Sequence, residues 1–148
     1  MNQIFIVVAA VAGFLIVFPL FWMGIVYLIS RIGGWARLAE RYAAQGPVAG
    51  DAFRMCTARF SHLGNYRNNL NLTVSGSGIH MQPMAIFSMG HDPLFIPWNA
   101  ITALEKRKKL FFTSAQLQVK DDDAGGTTRI TFFGQPVSDS LQRHCPQK

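Results

Sequence analysis

The densest charge in this 148-residue chain is the run Lys106-Arg107-Lys108-Lys109. Four adjacent cations are poor proton-transfer groups. They are a good contact for an anionic surface, where each Lys or Arg adds ~1 kcal/mol near lipid headgroups. Arg37 and Arg41 form a second, sparser basic site. The whole chain carries 14 Lys and Arg against 8 Asp and Glu, a net charge of +6, so its natural partners are anionic. No aromatic residue interleaves with the four cations, which argues against nucleic acid and leaves a membrane surface or a protein.

Other residue types that could do chemistry lack the spacing for it. His62, His80 and His91-Asp92 show no HxxxH or CxxC pattern, and read as solvated histidines rather than metal ligands. Asp121-Asp122-Asp123 lacks the alternating ligands and closing Glu of a calcium loop and reads as a solvated turn. Ser77 sits between two glycines, but the GxSxG spacing of a nucleophile elbow is absent. Cys56 lies in a strand pattern and reads as a small apolar residue. We therefore expect no catalytic residue, metal, cofactor or small-molecule substrate.

The element that positions everything else is Ile4 to Ile29, apolar throughout and without a charge. About 20 such residues cross a bilayer as a helix, and in lipid the backbone must satisfy itself, which requires a helix. Pro19 predicts a kink. Ala9 and Gly13 make one small-xxx-small pair where another helix could approach. A cleaved secretory signal is disfavoured by an uncharged start, an overlong apolar core and a poor cleavage site after Tyr27. Arg31, Arg37 and Arg41 follow the span and nothing basic precedes it except the amino terminus. The positive-inside rule then puts the N-terminus outside and the remainder in the cytoplasm. Two cysteines are no disulfide framework, although a single Cys56–Cys145 bridge is open to a domain placed outside.

Three segments follow: an anchor over residues 1–31, a juxtamembrane helix and linker over 32–50, and a β domain over 51–148. Gly33-Gly34 predicts a hinge or helix break. In WARLAERYAA, Trp35, Leu38, Ala39 and Tyr42 share one helical face. That face suits the headgroup boundary, with Tyr27, Trp35 and Tyr42 as interface anchors, or equally the domain that follows. From Phe53 the period becomes two. Strands are expected at 53–60, 66–74, 79–87 (with Pro83 at an edge or bulge), 94–98, 101–105, 110–120 (bulged near Thr113-Ser114) and 127–133. Turns fall at 62–64, 75–78, 106–109 (a hairpin tip) and 121–126. A short helix with Val137 and Leu141 as its apolar pair closes the chain. The expected fold class is thus a membrane-anchored α+β protein: one transmembrane helix, then a mainly antiparallel seven-stranded barrel or sandwich with a short C-terminal helix.

The pattern of Gly34-Trp35 with Leu38-Ala39 and Tyr42, Asn65-Tyr66-Arg67-Asn68 with Leu70, Gly78-Ile79, and Pro93 to Trp98 with Ile101 resembles the pleckstrin-homology-like (GRAM-like) domains of single-pass bacterial inner-membrane proteins, which have no assigned activity. The matching positions look like core and turn positions, so the resemblance implies a fold and no chemistry. Phosphoinositide-binding members carry a basic pattern over the first two strands. Here Arg54, Arg59 and Arg67 are followed by Asn68 and Asn69, so no headgroup site carries over. The expected function is a non-catalytic, membrane-tethered adaptor presenting its domain to protein or anionic lipid. The alternative is an accessory subunit of a larger inner-membrane complex.

Overall fold

The computed structural model describes residues 2–60, 64–122 and 124–146. His62 and Asp123, two of the residues considered above, lie outside them. Helix α1 runs Asn2–Ile32 and continues through Pro19. It is long and apolar enough to cross a membrane. Helix α2 is Trp35–Tyr42. Seven strands follow, β1 Asp51–Phe60, β2 Asn65–Val74, β3 Gly78–Pro83, β4 Leu94–Pro97, β5 Ile101–Lys109, β6 Phe112–Lys120 and β7 Thr127–Phe133, and helix α3 Gln135–His144 ends the fold. The strands form one sheet in the order β4-β3-β2-β1-β7-β6-β5, so it is open, with β4 and β5 at its edges. Every neighbouring pair is antiparallel.

Alternation sets the core. Tyr66, Leu70, Leu72 and Val74 of β2, Leu117 and Val119 of β6, and Ile130 and Phe132 of β7 are all buried. Asn68, between buried Tyr66 and Leu70, is exposed and breaks this alternation. It adopts φ 53° opposite the β1 bulge, where Met55 also has a left-handed φ of 54°. The register shifts there between Phe53, Cys56 and Ala58. The Thr57 hydroxyl donates to Asn68 Oδ1 at 3.0 Å and accepts from its amide at 3.1 Å, which pins the irregularity. Val137 and Leu141 of α3 are buried as their spacing predicts.

Three boundaries differ from the sequence reading. β3 stops at Pro83, and a 3-10 turn over Ala85–Phe87 replaces its expected continuation. Pro83 brings no amide to a ladder, and the Met84 amide turns back to the Asn69 carbonyl at 2.8 Å. Lys106 to Lys109 are the last residues of β5, not a turn, and the reversal is made by Leu110-Phe111. The cations pair in regular register, Lys106 with Ala115 through Lys109 with Phe112. The expected bulge at Thr113-Ser114 is therefore absent, and the shift falls at Ile101/Ala103 instead.

Helix α2 belongs to the same core. Trp35 and Leu38 are wholly buried, with Ala39 and Tyr42 packed at the margin. Of the two places its apolar face could take, it takes the domain. The residues expected to anchor at the headgroups are thus divided: Trp35 is a core residue, and Tyr42 donates its hydroxyl to the Lys120 carbonyl at 2.6 Å. Tyr27 stays on α1 with its hydroxyl beside Arg31. Gly33-Gly34 makes a packed corner rather than a free hinge. Gly34 takes φ 90°, and a Cβ on Gly33 would lie 3.0 Å from the Gly64 Cα.

A Cβ on Gly64 would meet the Gly33 carbonyl at 2.9 Å, whereas one on Gly46 would meet nothing within 4 Å. Overpacking of this kind costs ~1–3 kcal/mol. Gly64→Ala should lower the thermal midpoint of the purified protein by several degrees while Gly46→Ala leaves it within a degree or two. Equal midpoints for the two variants would refute the close approach.

Candidate functional site

The residues that meet most closely in this protein lie where α1 and α2 join the sheet. Trp35 opens α2 directly after the Gly33-Gly34 corner, and its ring packs on Phe60 at 5.6 Å, Tyr66 at 5.3 Å and His91 at 5.4 Å between centroids. Its indole N–H donates to the Asp92 carbonyl at 2.9 Å. Tyr66 and His91 meet edge to face, and the Tyr66 oxygen is 2.9 Å from His91 Nε2. His91 Nδ1 lies 3.0 Å from the Met89 carbonyl. A carbonyl can only accept, so Nδ1 carries the proton and Nε2 accepts from the Tyr66 hydroxyl. This neutral tautomer satisfies both rings inside the core.

Burial dominates the acid–base behaviour of this pair. It raises the Tyr66 phenol well above its ordinary range. It lowers His91 below its usual value, an effect the Met89 carbonyl partly offsets. Both rings are held uncharged, and both ring nitrogens of His91 are already engaged by protein partners. His91 was expected to be a solvated loop histidine; it is 2% exposed. No composition signal in the His-Asp dipeptide distinguishes the two cases. The aromatic partners come from residues 25 and more positions away.

Asp121 faces the first turn of α2. This residue was expected in a solvated turn, yet it is 8% exposed. Its carboxylate accepts from the Thr128 hydroxyl at 2.7 Å and faces Arg37 at 3.7 Å. Of the two juxtamembrane arginines, then, Arg37 is turned to the domain. Arg41 lies over the Tyr42 ring, 5.9 Å from its centroid.

The loop between β3 and β4 grips α1. Trp22 donates its indole N–H to the Ile86 carbonyl at 3.3 Å and packs against the Phe87 ring at 5.8 Å. The Ser30 hydroxyl donates to the Gly90 carbonyl, and Gly90, at φ 70°, lies against the Tyr27 ring. Phe18, Pro19, Trp22 and Met23 face Ala85, Ile86 and Met89 across an apolar groove of about 530 Å³.

The basic run lies elsewhere. Lys120, the strand end that Tyr42 touches, is eight positions along β6 from Phe112. At ~3.4 Å per residue this is about 27 Å along the strand. Alternation also divides the run. Lys106 forms an ion pair with Asp139 on α3, and Arg107 pairs with Glu105 on the opposite face. Lys109 lies over Phe112, 5.9 Å from its ring centroid. Beside them Leu110 and Phe111 are 96% and 95% exposed. The sequence reading placed these two in a strand, and so missed an apolar tip next to the cations. Among the described residues no three His, Cys, Asp or Glu side chains are grouped to hold a metal ion. Cys56 is a buried free thiol.

The histidines give the domain a pH dependence of definite sign. Burial lowers His91, and likewise His80, below the value of 6.5 that each has when unfolded. Near and below that pH the unfolded chain binds protons the folded one refuses, so stability is full above it and declines as pH falls further. The thermal midpoint should therefore drop between about pH 7.5 and 5.5, and His91→Gln should flatten that drop. An unchanged slope in His91→Gln would show that His91 titrates freely in the folded protein.

No family model matches the chain, and no curated protein does either.

Proposed function

We propose that this protein is a non-catalytic, membrane-tethered binding module. It crosses the inner membrane once with its N-terminus outside, and holds a pleckstrin-homology-like domain at the cytoplasmic face. The basic end of the β5–β6 hairpin engages an anionic partner there. One observation carries this reading: Leu110 and Phe111 are almost fully exposed at a tip flanked by Lys108 and Lys109. A reversal that only had to be soluble would use Gly, Asn or Asp. Two large apolar side chains beside cations suit a surface that is anionic outside and apolar beneath, as a lipid headgroup layer is. Orientation rests on Arg31, Arg37 and Arg41 after the span.

The accessory-subunit reading rests on the span itself. Ala9 and Gly13 are exposed one turn apart, and a Cβ on Gly13 would meet nothing within 4 Å, which leaves room for a neighbouring helix. A stoichiometric complex surviving purification in mild detergent would favour it.

Lys106 is engaged with Asp139, so the hairpin is best tested through its neighbours. With the full chain held in neutral-lipid nanodiscs, phosphatidylglycerol vesicles should be captured at low salt and phosphatidylcholine vesicles should not. Changing Arg107, Lys108 and Lys109 to Gln removes ~3 kcal/mol of headgroup attraction, or about a hundredfold in affinity. Equal capture of neutral and anionic vesicles would end the lipid reading. Separately, alkaline phosphatase fused after Lys148 should be inactive in cells. Strong activity there would place the domain outside.

A further inference from the structure

We infer that the loop Met84–Met89 is itself embedded in the lipid, forming with α1 a wedge whose outer surface contacts acyl chains at the headgroup boundary. This inference rests on α1 being a membrane span.

Helix length decides the matter. α1 is free of the domain only over its first part. From Phe18 onward it lies against the loop, first across the apolar groove and then through Trp22. The apolar residues free of it are 4–17, all of them exposed and preceded by the polar pair Asn2-Gln3. At 1.5 Å per residue those residues reach about 21 Å, while a hydrocarbon core is ~30 Å thick. That apolar stretch is too short to span alone. Helix residues beside the loop must complete the crossing, and the loop goes in with them, by about 9 Å. Tilting the helix deepens the loop further, because tilt shortens the span along the bilayer normal.

The loop is built for that position. Ile86 is 67% exposed and Met89 41% exposed, with Ala85 also outward. No residue from Met84 to Gly90 carries a side-chain charge. Irregular backbone is excluded from lipid unless its polar groups are met within the protein. Here most of the carbonyls are. That of Met84 accepts from the Phe87 amide, that of Ala85 from the Ser88 amide and hydroxyl, and that of Ser88 from the His91 amide. Three more turn toward fixed donors: Ile86 to Trp22, Met89 to His91 and Gly90 to Ser30. A loop surrounded by water has no need of two donors from a neighbouring helix. Trp22, at the groove, has its N–H on the protein and its ring toward the lipid boundary, the usual place for a Trp at a membrane interface.

The test places an environment-sensitive fluorophore on single cysteines in a Cys56→Ala, Cys145→Ser background. The full chain is reconstituted in phosphatidylcholine–phosphatidylglycerol vesicles, and circular dichroism checks each variant for fold. Ile86→Cys and Met89→Cys should be quenched several-fold more by nitroxide near the glycerol end of the acyl chain than by an aqueous quencher. Leu15→Cys should be quenched best by nitroxide nearer the chain terminus, and Thr102→Cys only from water. If Leu15→Cys is quenched by lipid while Ile86→Cys and Met89→Cys respond only to the aqueous quencher, the embedded loop is wrong and the span survives. If Leu15→Cys also responds only from water, the span and the loop fall together.

Discussion

The burial of Trp35 is the constraint on which the arrangement of this protein depends. A tryptophan at the start of a short helix just after a membrane span would ordinarily serve as an interfacial anchor. Here the ring is enclosed by Phe60, Tyr66 and His91, and its one polar atom is spent on the Asp92 carbonyl. Truncating such a residue typically costs ~3–5 kcal/mol, a large share of a small domain's net stability. Helix α2 cannot leave the sheet without that loss. Only Gly33 and Gly34 separate it from α1, and Gly33 is packed against Gly64, so α1 cannot turn independently of α2. Anchor and domain are consequently one body.

The polar groups at this junction follow from the same burial. Once Trp35 closes the site, water is excluded from His91 and Tyr66, and each must find its partner inside the protein. The Met89 carbonyl fixes the imidazole tautomer, which in turn fixes the direction of the Tyr66 hydroxyl bond. Met89 belongs to the loop that grips α1, so the same short network that fills the core also shapes that loop. Asp121 takes Thr128 and Arg37 of the first turn of α2, and at the helix's other end the Tyr42 hydroxyl donates to the Lys120 carbonyl and the Ala44 amide donates to the Pro93 carbonyl at 2.8 Å. Both ends of the helix are tied, and the linker after it begins already fixed.

Much of this architecture was legible in the sequence, and the failures have physical causes. Period-two burial in Tyr66-to-Val74 and Thr127-to-Phe133 announced strands correctly, because one face of each meets the core. Val137 and Leu141 announced the closing helix for the same reason. The 106–109 run misled because a charge cluster resembles a turn. Lysines extend a solvent-edge strand without difficulty, and they protect such an edge from pairing with another chain. Helical spacing showed that Trp35, Leu38 and Tyr42 share a face, but spacing cannot name what covers it. His91 and Asp121 sit in polar, turn-like surroundings along the chain. Their burial is created by Tyr66, Trp35 and Thr128, which the topology brings from elsewhere. Sites of that kind are invisible to local pattern.

A fixed seat on the anchor also changes what the domain can do for a partner. A domain on a flexible tether samples many orientations, and binding at a surface must then meet the cost of ordering it. Here that cost is borne once, on folding, by the Trp35 core and the ties at both ends of α2. The β5–β6 hairpin, far along β6 from α2, is therefore presented at a set distance and angle from α1 rather than swept through a volume. Its exposed Leu110-Phe111 tip would be a hazard on a freely tumbling domain, since an apolar tip beside an open β5 edge invites nonspecific association. On the proposed anchoring by α1, the same tip would meet only what lies on its own side of the membrane at its own height. The rigidity of the junction and the stickiness of the tip are in this sense one design: the first restricts which surfaces the second can reach.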